Sequence, residues 1–136
     1  NAAVVLREHN AMMHTSIFVN DMQESIDFYT KLGLKLLGGP HHYPGNCDMA
    51  FVGKSWDAYV ELVYDLEEHP PYELGNRYEH LAMDVEGDFQ EVVESLRNDG
   101  VKVIKGPKKS PGGDRWIAFV EDPNGIPVEL LEPRHR

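Results

Sequence analysis

Cysteine is nearly absent from this chain of 136 residues. Cys47 is the single one, so no internal disulfide can form and nothing demands an oxidising compartment. Long apolar runs are missing as well: the longest uninterrupted ones, Ala2–Leu6 and Trp116–Val120, are five residues each. Neither can span a membrane, and no apolar stretch suits a secretory leader. Basic residues are scarce. Thirteen Lys and Arg stand against 23 Asp and Glu, a formal net charge of −10. A field of that sign repels phosphate backbones and anionic lipid, which argues against nucleic acid and membrane as partners. The expectation from these absences is a soluble cytoplasmic protein. What is there suffices for a core: 41% of residues are apolar and 26% charged, in a length typical of one domain. Residues 1–10 add little to this reading.

The chain repeats itself. His14-Thr-Ser-Ile-Phe-Val19 is echoed by His80-Leu-Ala-Met-Asp-Val85, and Gly33-Leu-Lys-Leu-Leu37 by Gly100-Val-Lys-Val-Ile104. Ala50-Phe51-Val52 matches Ala118-Phe119-Val120, and Glu61-Leu62 matches Glu129-Leu130. The offset is 66 at the histidines, 67 at the glycines and 68 at the last two pairs, so two one-residue insertions reconcile the halves. Four matches in order at almost one offset are hard to obtain by chance.

Each half reads as strand, helix and three strands. His14–Val19 alternates and ends at Asn20-Asp21; Asp21 followed by Glu24 is a capping-box pattern. Met22, Ile26, Tyr29 and Leu32 follow at helical spacing, and Gly33 supplies a left-handed stop. Phe89, Val92, Val93, Leu96 and Gly100 repeat the arrangement. The remaining strands are expected near Leu34–Leu37, Cys47–Val52, Tyr59–Tyr64, Val101–Ile104, Trp116–Val120 and Val128–Leu131, divided by Gly- and Pro-rich turns. The fold class is therefore α+β: two tandem βαβββ modules, 12–65 and 78–133, joined by a linker at 66–77, within one domain spanning 1–136. A duplicated module pairs with its copy in the same chain or in another, with a pseudo-twofold cleft between sheets.

The repeat also carries chemistry. His14 and His80 open strands, while Glu61 and Glu129 interrupt the apolar runs Tyr59–Tyr64 and Ile126–Leu131. Alternation puts His14 on one strand face with Ser16 and Phe18, and His80 with Ala82 and Asp84. A carboxylate turned into a sheet cavity must be paired or metal-bound, because bare burial costs several kcal/mol. A lone strand Glu commonly faces solvent, but solvated positions have no reason to duplicate. Two imidazole nitrogens and two carboxylate oxygens suit a divalent first-row metal with room for water.

At these residues the chain resembles the glyoxalase I (lactoylglutathione lyase) branch of the vicinal oxygen chelate superfamily. The resemblance runs from about Met13 to Glu132. It is carried by Met13-His14-Thr15, Asp21–Tyr29, Glu61-Leu62-Val63-Tyr64, Tyr72-Glu73-Leu74-Gly75 with Tyr78-Glu79-His80, and Ala118–Gly125 closing on Glu129-Leu130. Ser-Ile-Asp-Phe-Tyr and Asp-Pro-Asn-Gly are widespread in the superfamily; the His, Glu, His, Glu order is more specific to the branch. The resemblance implies that His14, Glu61, His80 and Glu129 bind one divalent metal per site, with two waters. Nickel or cobalt is favoured for so short a chain, with zinc an alternative. It implies a substrate formed from methylglyoxal, or another 2-oxoaldehyde, and a thiol such as glutathione. The hemithioacetal would be isomerised to a 2-hydroxyacyl thioester, with Glu129 as the catalytic base. It implies a homodimer whose sites at the subunit interface draw one His–Glu pair from each chain. Two other readings stay open: a different metalloenzyme of the superfamily, an epimerase or dioxygenase, and a non-catalytic drug- or ligand-sequestering resistance protein.

The thiol side of the site departs from the branch pattern. Phe18 stands where an Arg is usual, Asp65 where an Asn is usual, and Glu79 where a Gly is usual. Asp65 would repel an anionic thiol at short range, and Arg77 or Arg115 could supply a replacement cation. The stretch 106–115 resembles a glycine-rich lid in which Lys108 and Lys109 could hold an anionic tail, with a solvated turn as the alternative. Substrate contacts are thus sought at Phe18, Asp65, Arg77, Lys109, Arg115 and Trp116. Trp56 and Trp116 read as packing or interface residues, Trp116 being placed to cover substrate. His41-His42 reads as part of a loop and not as a ligand pair. Cys47 reads as a small buried strand residue and not as a nucleophile.

Overall fold

Each half of the repeat folds into its own four-stranded sheet, and the two have the same topology. The computed structural model describes residues 4–9 and 11–133. Residues 1–3, 10 and 134–136, which include the ends of the expected span 1–136 and part of the run Ala2–Leu6, lie outside the described residues. The chain divides into two compact units, Asn1–Pro70 and Pro71–Arg136.

In the first unit β1 (His14–Phe18), β2 (Lys35–Tyr43), β3 (Cys47–Ser55) and β4 (Ala58–Asp65) form a sheet in the order β1-β4-β3-β2. The β1–β4 pair is parallel and the other two pairs are antiparallel. Helix α1 (Met22–Lys31) connects β1 to β2. It begins where Asp21 Oδ1 accepts from the Glu24 backbone N–H at 2.8 Å, and it ends at Gly33 with φ +99°. Ile26, Phe28 and Tyr29 of the helix and Ile17, Val52, Val60 and Leu62 of the strands are all buried. Register places Ile17, Leu62 and Ala50 in one row across the sheet. Their neighbours in sequence, Ser16, Glu61 and Phe51, form the next row and face away from the helix.

The second unit is built alike. β5 (Leu81–Asp84), β6 (Lys102–Lys109), β7 (Trp116–Glu121) and β8 (Pro127–Leu131) take the order β5-β8-β7-β6, again with one parallel pair, β5–β8. Helix α2 (Phe89–Asn98) is capped by Asp88, whose Oδ1 accepts from the Glu91 N–H at 3.1 Å. Phe89, Val93 and Leu96 are buried with Val120, Val128 and Leu130. Buried Asp122 closes the β7–β8 turn, accepting from the backbone N–H groups of Asn124 and Ile126 at 2.8 Å each. The Asp-Pro-Asn-Gly segment therefore serves the turn.

β5 opens at Leu81, so His80, expected to begin this strand, lies just before it. Two further strands differ from expectation, for one reason. β2 continues through His41 and His42 to Tyr43, and β6 continues through Lys108 and Lys109, where the sequence suggested loops. Each strand carries irregularities at a Gly-Pro step, Gly39-Pro40 and Gly106-Pro107, and then resumes pairing. Gly39 and Gly106 sit at φ +80° and +81°, which a bulge accommodates without ending the ladder. The turn beyond β6 is therefore shorter than the lid expected at 106–115. Among the described residues, no helix is long and apolar enough to cross a membrane.

Candidate metal and substrate site

An inner strand of each sheet, β4 or β8, presents its glutamate between two neighbours on the face away from the helix. Glu61 on β4 lies in register with Ser16 on β1 and Phe51 on β3. Glu129 on β8 lies in register with Ala82 on β5 and Phe119 on β7. Their side chains are only 19% and 16% exposed. Neither carboxylate is turned out into bulk solvent, and each has an imidazole beside it.

In the first unit His14 Nε2 lies 3.7 Å from Glu61 Oε2, and Ser16 Oγ donates to Glu61 Oε1 at 3.1 Å. The His14 ring stacks on Tyr59, centroids 5.0 Å apart and planes 25° apart. Tyr59 in turn meets Phe51 and Trp56 edge-on, so an aromatic cluster braces the imidazole. In the second unit His80 Nε2 lies 3.3 Å from Glu129 Oε1, while His80 Nδ1 lies 3.1 Å from Glu79 Oε1. A proton on Nδ1 directed at Glu79 leaves the Nε2 lone pair on the Glu129 side, the arrangement that orients a metal-binding histidine. His80 also meets Phe119 edge-on at 5.3 Å.

Each unit by itself thus brings one expected imidazole to one expected carboxylate. Among the described residues, no group of three or more His, Cys, Asp or Glu side chains is close enough to hold a metal ion. The donor chemistry of the pairs nevertheless fits a divalent first-row ion. Half-buried carboxylates in apolar strands need a cationic or hydrogen-bonding partner, and imidazole nitrogen with carboxylate oxygen is a donor set such ions accept.

The expected substrate contacts fall into distinct groups. Phe18 shares the face of His14 and is 54% exposed, in register with Val63. Asp65 Oδ1 accepts from the Glu67 backbone N–H at 2.9 Å, so this carboxylate serves the end of β4. Arg77 is exposed. Arg115 is largely covered, 18% exposed, with Nη1 3.7 Å from Asp84 Oδ1. Lys109, the last residue of β6, pairs with Trp116 and places Nζ 4.7 Å from the centre of its ring. The turn between them is closed by its own bonds: Ser110 N–H to Arg115 O at 2.9 Å and Ser110 Oγ to Asp114 Oδ1 at 2.8 Å. His42, expected in a loop, instead pairs from β2 with Asp48 at 3.2 Å. Sequence reasoning missed the contributions of Ser16 and Glu79. Ser16 could have been found from the alternation that puts it on the face of His14 and opposite the strand of Glu61.

A duplicated βαβββ sheet with a His–Glu pair on each copy defines a class of metal-dependent enzymes and binding proteins. The chain belongs to the Glyoxalase/Bleomycin resistance protein/Dioxygenase superfamily, whose model matches residues 11–130. It is 40% identical to the lactoylglutathione lyase of Escherichia coli O157:H7 over 127 residues, 90% of this chain and 93% of that one. It also resembles the crystal structure of glyoxalase I from Zea mays, with TM-score 0.81 and 29% identity over 91% of its length. The chain spans about half of that larger protein, 45%. The trypanothione-dependent glyoxalase I of Leishmania major matches with TM-score 0.73 and 33% identity, over 89% of this chain and 85% of that one.

Proposed function

We propose that this protein is a glyoxalase I-type lyase. It would isomerise the hemithioacetal of methylglyoxal, or another 2-oxoaldehyde, and a thiol to a 2-hydroxyacyl thioester. The observation that carries this reading is the repeated pair: His14 with Glu61 and His80 with Glu129, each on the same face of the same sheet topology. The similarity to lactoylglutathione lyases over nine-tenths of the chain supports it.

His14, Glu61, His80 and Glu129 would hold one divalent metal, nickel or cobalt by preference and zinc as an alternative. When bound, that ion would act as a Lewis acid on the substrate oxygens and acidify the adjacent C–H. Glu129 takes the proton from the carbon bearing sulfur and returns it to the neighbouring carbon. The C–H electron pair shifts between the two carbons while the hydroxyl proton passes from the first oxygen to the second, so nothing is gained or lost. Redox activity is not required of the metal. Glu79 orients His80, and Tyr59 holds His14.

Four ligands need one pair from each kind of unit. We place these pairs on opposite chains of a homodimer, with sites at the subunit interface. The domain reading, 1–136 with modules 12–65 and 78–133 about a linker at 66–77, belongs to the same proposal. So does a cytoplasmic location, which the single cysteine supports. Phe18 in place of a cation favours a thiol with less anionic character near β1 than glutathione, and Arg77, Arg115 and Lys109 are the candidate cations to hold a carboxylate. Metal analysis of the purified protein, with turnover measured on methylglyoxal adducts of glutathione and other thiols, tests the reading. About one divalent ion per site and thioester formation are expected. A metal-free protein that binds without turnover would point to sequestration. A metal-loaded protein inactive on every thiol adduct would point to another reaction of the superfamily.

A further inference from the structure

The two glutamates are repeats of each other in position but not in surroundings. Glu61 has one carboxylate oxygen hydrogen-bonded, Oε1 accepting from Ser16 Oγ at 3.1 Å, while Oε2 lies 3.7 Å from His14 Nε2, beyond hydrogen-bond distance. The residue in register with Glu129 on the matching parallel strand is Ala82, which has no hydroxyl. Among the described residues the polar neighbour of Glu129 is His80, at 3.3 Å through Oε1. A carboxylate that accepts from a hydroxyl on the neighbouring strand is held in its plane by that bond. One without it can still turn about its last side-chain bond, where the rotational barrier is low and broad.

We propose that Ser16 is a positioning residue that makes the two carboxylates unequal. It holds Glu61 as a fixed ligand and leaves Glu129 as the carboxylate free to reach two adjacent carbons in turn. This rests on the isomerase reading above. Position alone gives no reason why one glutamate should act as base and its repeat should not; the hydroxyl supplies one. Moving a proton between neighbouring carbons requires the carboxylate oxygen to follow it, and a fixed carboxylate does so poorly. Holding a metal has the opposite requirement, since groups that orient a ligand typically set metal affinity or activity by about 10–100-fold.

The test exchanges the two environments in the full-length protein. Ser16→Ala, Ser16→Thr, Ala82→Ser and wild type are compared for nickel affinity, by competition with a chromophoric chelator, and for kcat and KM on methylglyoxal hemithioacetals. Ser16 and Ala82 are both exposed, so the substitutions do not disturb the core. Ser16→Ala is expected to weaken nickel binding about tenfold, and Ser16→Thr to restore it. Ala82→Ser is expected to lower kcat severalfold at unchanged KM. In a Glu129→Gln background, Ser16→Ala is expected to raise the residual kcat, because Glu61 is then released to act. Nickel affinity within twofold of wild type in Ser16→Ala, or an unchanged kcat in a folded Ala82→Ser, overturns the proposal. Should wild type turn over no thiol adduct, the isomerase reading fails, while the nickel titration still decides whether Ser16 positions Glu61.

Discussion

Phe119 stands directly across the β7–β8 ladder from Glu129 and meets the ring of His80 edge-on at 5.3 Å. The same aromatic recurs as Phe51 across from Glu61. Each carboxylate is thus walled by a phenyl ring on one side and approached by an imidazole, which limits its exposure to water without removing every polar partner.

Glu129 is the residue on which turnover should depend most. Glu129→Gln preserves size and removes the base, so kcat should fall by about 10²–10⁴-fold. Circular dichroism and the melting temperature should stay near wild type, because glutamine fills the same space on the sheet face away from the helix. Full activity in this variant would remove Glu129 from the mechanism.

Metal should bind through both pairs. His14→Ala and His80→Ala should each lower the divalent ion retained after dialysis, measured by elemental analysis. Chelation should abolish turnover, and nickel or cobalt should restore it. Saturating metal should raise the melting temperature, because binding only the folded state adds about 2.7 kcal/mol at a hundred times Kd. A thermal scan with and without nickel checks this.

Phe18→Arg should lower KM for the glutathione adduct. The variant restores a cation at the position where the glyoxalase I branch usually has one, on a half-exposed site that tolerates it. The expected size is several-fold to tenfold in KM with kcat little changed, as for uniform binding. Steady-state kinetics with glutathione and a neutral thiol separates charge recognition from general loosening.

Gly106→Ala should destabilise the second unit. The residue has φ +81°, and an added Cβ would lie 2.7 Å from the Ile117 carbonyl oxygen. A loss of about 1–3 kcal/mol is expected. Gly112→Ala, whose Cβ would make ordinary contact with Asp114 at 3.5 Å, should stay within about 0.5 kcal/mol. Urea unfolding of both variants provides the comparison.

The duplicated architecture was legible before any coordinates, because periodicity and punctuation are local. Alternation around Ile17 and Leu62, helical spacing through Ile26 and Tyr29, and glycine stops at Gly33 and Gly100 each depend on a few neighbouring residues. Both helices and the succession of strand, helix and three strands in each module follow from them; the order of the strands within each sheet does not. The Gly-Pro steps misled for the same reason. Taken locally they end a strand, whereas across the sheet a bulge lets β2 and β6 regain their partners.

The amino-acid order by itself determined the repeat, the fold class and the four side chains suited to a metal. Only the tertiary structure decided how each is held. Ser16 grips Glu61, Glu79 flanks His80, Asp65 is spent on the backbone of Glu67, and Arg115 is covered beside Asp84. These are contacts of individual oxygen and nitrogen atoms, two of them, Ser16 with Glu61 and Arg115 with Asp84, between residues far apart in the chain. Those two are set by register and rotamer once the strands have paired, and spacing along the chain can point to a shared face but not to the atoms that meet.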